Sequence, residues 1–295
     1  MKNNNKLKRV NIELSAYCGY KCIGCPNTYM KRDKGSMSLE LFENIVKEIS
    51  DKIDIVYLAN FGEPLLNHQA PKMLELLRDL PIKSVLSTTG APLHSFKNLE
   101  FLTSLDELII SINGFDQETY AKHQKGGDLA KVLYGLEKLA PIMQSAETNY
   151  ILQLVANRYN LEDIEKIDFF AKNYSFDSII IKSFNVMDNK QETFDEFIPK
   201  NSIFSRYKER VLGENNQIKA PCKEWFVINW NGDVNPCCWN YEGDIIFGNV
   251  KKDGVFAVWN SNVARNFREK IARKEYIDIC VNCGDSQVIK EYKVI

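Results

Sequence analysis

No cysteine occurs in the 196 residues between Cys25 and Cys222, although the 295-residue chain has eight. The thiols fall into two groups: Cys18, Cys22 and Cys25 early, and Cys222, Cys237, Cys238, Cys280 and Cys283 late. Clustering of this kind points to metal or redox chemistry more than to disulfides. Histidine is scarce. His68, His94 and His123 lie far apart, no two have metal-ligand spacing, and surface or capping roles are expected. No apolar run approaches the ~18–20 residues of a membrane span. The polar start, Met1–Arg9, is not a secretory signal. Net charge is −1, which gives no electrostatic case for nucleic acid or an anionic membrane as the main partner. A cytoplasmic location is expected.

What is present is ordinary for a soluble globular protein: 44% hydrophobic and 26% charged residues, enough for one large domain with or without an appendage. Val10, Ile12 and Leu14 alternate with Asn11, Glu13 and Ser15, the period of a strand. Ser38 is an N-cap candidate for a helix carrying Leu39, Phe42, Ile45, Val46 and Ile49. Further strands are expected at Ile53–Ala59, Ser84–Ser87, Leu108–Ile112, Tyr150–Ala156 and Ser178–Phe184. Helical stripes run through Met73–Leu80, Leu99–Leu105, Leu129–Leu139 (capped by Asp128) and Ile164–Ala171. Strands alternating with helices imply parallel pairing through right-handed crossovers. Ligands then gather at the C-terminal strand ends, and the first cysteine group sits at one of them. Periodicity alone does not separate an open sheet from a barrel.

The style changes toward the end. Asp188–Glu214 reads as a polar linker with a short helix, Trp225–Trp230 as a strand before an Asn231-Gly232 hairpin signal, and Val255–Trp259 and Phe267–Ile271 as late helix. The expected division is a barrel over 1–190, a linker over 191–217 and a small unit over 218–295.

Cys18, Cys22 and Cys25 are spaced x3 then x2. Three thiolates can hold three irons of a [4Fe–4S] cube and leave the fourth open to a ligand. Half a zinc site is the alternative, but zinc sites pair two Cys-x2–4-Cys units, which a third thiol at x3 fits badly. The spacing is similar to the CxxxCxxC signature of the radical S-adenosylmethionine (SAM) enzymes. That resemblance implies a partial (β/α)6 barrel, and SAM bound at the open iron through its amino and carboxylate groups.

Further segments extend the resemblance. Asn60-Phe61-Gly62-Glu63-Pro64 resembles the family's "GE" motif, which implies that Gly62 and Glu63 meet the methionine amino group. Ser87 and Thr88 stand where relatives face the ribose. Ser111, in Ile110-Ser111-Ile112-Asn113-Gly114, resembles the family's Ser-Ile-Asp-Gly segment, and Asn157 ends strand five toward the cavity or as a cap. By alternation Glu13, Asn113 and Lys182 could also point inward. Two positions depart from the family. Gly24 replaces a bulky residue near adenine, whose packing would fall to Tyr20 or Phe61. His123-Gln124-Lys125-Gly126-Gly127 lacks an arginine, for which Lys125 is a stand-in without bidentate geometry.

Cys222-x9-Gly232-x4-Cys237, followed by Cys280-x2-Cys283, resembles the SPASM auxiliary-cluster domain in its smaller Twitch form. Four ligands suffice for a second [4Fe–4S] cube; a zinc ribbon is the rival. Cys238 is surplus, a bystander or alternative ligand in one reading and a hydrogen-atom donor to a substrate radical in another. The pattern is similar to the Twitch-type dehydrogenases of an aminocyclitol, 2-deoxy-scyllo-inosamine. It implies a small polar substrate of the sugar or aminocyclitol class, an alcohol oxidation, and an electron donor such as flavodoxin or ferredoxin. The alternatives are an epimerase using Cys238, a peptide-modifying enzyme, or a non-catalytic zinc protein. Peptide-acting relatives often carry a leader-binding domain, and only 17 residues precede Cys18, so a ribosomal peptide is the less expected substrate.

Overall fold

The computed structural model describes residues 6–200, 202–207, 222–280, 283 and 288–294. Six strands pair in chain order, all parallel: β1 (Arg9–Ile12), β2 (Ile55–Leu58), β3 (Lys83–Thr88), β4 (Glu107–Ser111), β5 (Asn149–Ala156) and β6 (Ser178–Ser183). Between them run α1 (Leu39–Ile49), the short α2 (Ala70–Glu75), α3 (Gln117–His123), α4 (Leu129–Met143) and α5 (Leu161–Asn173). Among the described residues β1 and β6 do not pair with each other. The fold is thus the expected α/β partial barrel, open on one side.

Local chemistry explains most of these elements. The Ser38 side chain accepts from the Leu41 amide at 3.3 Å and starts α1, whose Leu41, Phe42, Ile45, Val46 and Ile49 are buried. Each such side chain contributes about 1.5–3 kcal/mol on burial. Asp128 caps α4 in the same way. The Leu99–Leu105 stripe is a 3-10 turn (Glu100–Ser104) and not an α-helix. Apolar residues three apart fit three residues per turn equally well. No helix among the described residues is long and apolar enough to cross a membrane.

Alternation along the strands gives the sheet two faces. Val10, Ile12, Leu86, Leu108, Leu152 and Ile181 join the main core beneath the helices. Val85, Ile109, Ile151 and Ile180 form a separate cluster with Ile55 and Tyr57 on the inner face. The inner positions nearer the strand C-termini are polar, Ser87, Ser111, Gln153 and Lys182 among them.

The C-terminal part joins the same sheet. α6 (Gln191–Phe197) occupies the start of the expected linker, whose residues from 208 on lie outside the described ones. β7 (Trp225–Ile228) pairs parallel with β1, Arg9 opposite Trp225 and Ile12 opposite Ile228. β8 (Val234–Asn235) turns back antiparallel on β7. Asn231-Gly232 does lie in the connection, but the turn is wider than a two-residue hairpin: the Asn229 amide donates to the Asp233 carbonyl at 2.8 Å. Then come α7 (Val250–Asp253), α8 (Val255–Trp259), α9 (Asn262–Ala272) and β9 (Val288–Lys293), which pairs antiparallel with β6. The strand order is β8-β7-β1-β2-β3-β4-β5-β6-β9. Glu48 of α1 accepts from the Val255 and Phe256 amides at 2.8 and 3.0 Å, fastening α8 to the barrel.

Candidate active site

The first cysteine loop follows β1 and hangs from the segment after α3. The Lys21 amide donates to the Lys125 carbonyl at 2.9 Å and the Ile23 amide to the His123 carbonyl at 3.0 Å. Asn27 donates to the Ala16 carbonyl at 2.8 Å, and Lys34 donates to both oxygens of Asn27. Burial pushes the Cys25 thiol up to about 11 and Cys22 well above its ordinary range; Cys18 adds to both, and Cys25 adds to Cys22. Burial raises Cys18 as well, with Lys34 pulling the other way. Three thiolates do not form together here without positive charge among them, which a metal cluster supplies on binding. Three thiols spaced x3 then x2 on one loop fit three corners of a cube with one open iron better than a zinc site, which pairs two Cys-x2–4-Cys units.

Gly62 and Glu63 lie directly against this loop. Gly62 has φ +121°, and a Cβ there would sit 2.1 Å from the Ser15 carbonyl oxygen, so only glycine allows the approach. The Glu63 amide donates to the Tyr17 carbonyl at 2.7 Å. The Glu63 carboxylate is buried and accepts four bonds: from the Leu65 amide (3.1 Å), the Thr88 hydroxyl (2.6 Å), and the Thr89 amide (2.8 Å) and hydroxyl (2.6 Å). Burial raises its pKa, and these donors oppose the rise. Four donors fill a carboxylate's acceptor sites, so Glu63 clamps the β2 and β3 ends to the cysteine loop. Thr88 belongs to that clamp. Ser87 shares a hydrogen bond with Tyr57, and Ser111 accepts from Gln153 at 2.8 Å. Asn157 accepts from the Tyr159 amide and donates to the Val155 carbonyl, both within its own turn.

Glu13 points inward but is fully engaged. It pairs with both terminal nitrogens of Arg32 and also accepts from Asn60 at 3.3 Å and the Trp230 amide at 3.4 Å. Arg32 in turn donates to the Tyr241 carbonyl. One buried ion pair thus ties β1, the cysteine loop and the C-terminal part together. Asn113 accepts from the Val155 amide at 2.7 Å, bridging the β4 and β5 ends.

The late cysteines converge from separate segments. Cys237 shares a side-chain hydrogen bond with Cys222, which together with burial holds its thiol well above the ordinary range. Burial pushes Cys283 up to about 12; Cys237, Cys238 and Cys280 add to the rise and Arg206 opposes it. Cys280 is raised chiefly by burial. A cavity of about 600 Å³ is lined by thiols of both groups, Cys25 from the first and Cys222, Cys237, Cys238 and Cys283 from the second. Cys25 and Cys238 also pack on one small apolar cluster of Ala16, Met30 and Phe61.

Phe61 and Gly24 line this cavity, and a Cβ at Gly24 (φ +75°) would meet the Phe184 ring at 3.0 Å. Tyr20 is instead sunk in the core, hydrogen-bonded to Tyr120 at 2.9 Å. Two neighbours of Lys125 carry more of the site than sequence reasoning gave them. Gln124 accepts from the Asn113 amide and donates to the Ser111 carbonyl, holding the β4 end. His123 is buried between Phe184 and Phe197 and lines the cavity. Their place before Gly126-Gly127 was the available signal.

Comparison with known proteins agrees with this geometry. The radical SAM superfamily profile matches residues 12–171, more than half of the chain. An iron–sulfur cluster-binding domain profile (SPASM) matches residues 222–284. The tungsten-containing aldehyde ferredoxin oxidoreductase cofactor-modifying protein of Pyrococcus furiosus is 21% identical, over 94% of this chain and 87% of its own. The crystal structure of BtrN with AdoMet and 2-DOIA is similar with a TM-score of 0.55 at 16% identity, covering 96% of this chain and 95% of that one. Streptococcus suis SuiB bound to its precursor peptide SuiA gives 0.67 at 15% identity, over 98% and 74%. The chain belongs to the radical SAM superfamily and carries a SPASM-type C-terminal domain. It is accordingly an enzyme whose cofactors are SAM and [4Fe–4S] iron–sulfur clusters.

Proposed function

We propose that this enzyme oxidises an alcohol on a small polar substrate of the sugar or aminocyclitol class. Cys18, Cys22 and Cys25 would hold the SAM-binding cluster, and Cys222, Cys237, Cys280 and Cys283 the auxiliary one. When bound, these cofactors supply a 5′-deoxyadenosyl radical for hydrogen-atom abstraction and an acceptor for the second electron. The chain's own residues position and enclose. Gly62 lets backbone approach the SAM site, Glu63 with Thr88 fixes the loop that borders it, and Ser87 and Ser111 offer hydroxyls on the inner face. The observation that carries the reading is that one cavity is lined by Cys25 of the first group and by Cys222, Cys237 and Cys283 of the second. Its volume of about 600 Å³ lies within the range of small-molecule and cofactor sites. Flavodoxin or ferredoxin is the proposed electron donor.

Cys238 lines the same cavity, which favours epimerisation with Cys238 as hydrogen donor as the second reading. Turnover of candidate alcohols in deuterium oxide separates the two. Oxidation yields a carbonyl and no solvent deuterium at the reacting carbon. Epimerisation installs deuterium there and is lost in Cys238→Ala. A deuterated, inverted alcohol from the unmodified enzyme rejects the dehydrogenase.

A further inference from the structure

The first cysteine loop has two sides with different surroundings. Ile23, Gly24, Cys25 and Pro26 line the cavity. Tyr17, Gly19 and Lys21 are exposed instead, and Cys18 and Cys22 among them are half-buried. The cavity side is the one given above to SAM and substrate. An electron bound for the first cluster therefore has the outer side as its approach.

Two neighbouring segments extend that outer side. One follows the Glu63 amide, which donates to the Tyr17 carbonyl, and continues to Leu66, whose amide donates to the Glu63 carbonyl at 3.0 Å. The other is held by the Lys21 amide on the Lys125 carbonyl. Tyr17 is 51% exposed and Leu66 45%, large apolar side chains kept in water by a backbone tied to the buried Glu63 clamp. Nothing lies within 4 Å of where a Cβ on Gly19 would stand, and a Cβ on Gly126 would meet the Gly19 carbonyl at 3.9 Å. Side by side, these two glycines leave the loop backbone open to close approach from outside. On residues 17–22, 63–68 and 125–128 the exposed Lys, Asp and Glu side chains are Lys21, Lys125 and Asp128. Asp128 caps α4 and pairs with Lys131 at 3.5 Å. Among the described residues neither Lys21 nor Lys125 is in an ion pair. Apolar contacts beside unpaired ammonium groups suit a partner whose redox edge is apolar and rimmed by carboxylates.

Resting on the reading that a protein supplies the electron, we infer that this face, with Gly19 between Tyr17 and Lys21, docks an acidic one-electron carrier protein. One electron passes from the carrier's reduced flavin or iron–sulfur group to the first cluster. The carrier is oxidised by one electron and the cluster reduced by one, and no atom is transferred.

The test measures binding without turnover. Oxidised flavodoxin and oxidised ferredoxin are each titrated with the anaerobic, two-cluster, SAM-bound protein and followed by nuclear magnetic resonance, which gives a Kd. At least one should bind, and the one that does identifies the carrier. Lys21→Glu and Lys125→Glu should each weaken it about tenfold at low salt, a difference that shrinks at about 0.5 M salt. Gly19→Trp, whose Cβ meets no neighbour in the fold, should block docking. Lys172→Glu, exposed at the end of α5 that leads into β6, should leave Kd as it was. Kd unchanged in the first three variants overturns the inference, as does an equal loss in Lys172→Glu or no binding of either carrier below about 1 mM. Reductive cleavage of SAM by dithionite, which needs no docking, tests the underlying enzyme reading separately. If dithionite drives cleavage and neither carrier binds, only the inference falls.

Discussion

Cys18, Cys22 and Cys25 sit on a single loop of eight residues, while Cys222, Cys237, Cys280 and Cys283 are gathered from residues 222–283. The first group is positioned by the barrel. Its backbone hangs on residues 123 and 125, and the clamp of Glu63 lies beneath it. The second group positions itself, its thiols brought together by the β7–β8 turn, the 3-10 turn at Asp278–Cys280 and the docking of α8 on α1. A local loop can be retuned by its neighbours without loss of the fold. A site assembled from distant segments is part of the fold that holds it.

Removing one thiol from each group separates their roles. Cys22→Ala should abolish SAM cleavage, because a cube with two protein ligands is not retained at the loop. Cys280→Ala should keep SAM cleavage, lose product, and reduce iron from about eight to about four atoms per chain. Iron analysis and 5′-deoxyadenosine yield distinguish them, and loss of SAM cleavage in both would erase the contrast.

A smaller effect concerns His123, which carries the first loop. Burial lowers its pKa from the usual 6.5 to about 4. Below the ordinary value the unfolded chain takes up a proton that the fold refuses, so stability falls as pH drops from 6.5 toward 4. Between about pH 7 and about pH 5.5 the loss is about 1 kcal/mol. His123→Phe, which keeps the ring stack, should flatten that slope in urea melts, and an unchanged slope would remove His123 from the account.

The smallest test exchanges the cations. Lys34→Met should lower the reduction potential of the first cluster and leave the second alone, and Arg206→Met should lower that of the second and leave the first alone. Redox titration followed by electron paramagnetic resonance reads both, and crossed effects would mean the two fields overlap.

The fold was largely legible because parallel strands buried on one face and capped helices write their periods into the chain: β1 to β6, the Ser38 and Asp128 caps and the cysteine spacing could all be read directly. What escaped was long-range pairing. Nothing local in Trp225–Ile228 says that it lies beside Arg9–Ile12, and the Val288–Lys293 strand is mostly exposed and weakly patterned. Side-chain duties escaped for the same reason. Glu13 and Glu63 read equally well as ligand-facing acids until Arg32, Thr88 and Thr89 are seen around them.

The β1–β7 pairing bears on any attempt to isolate the barrel. Cutting the chain before Trp225 strips β1 of its outer neighbour and uncovers a row of unpaired amides and carbonyls. Such a margin recruits strands from other molecules. The fragment would be prone to stacking and precipitation, and a synthetic Trp225–Ile228 peptide would be a natural blocker of that margin.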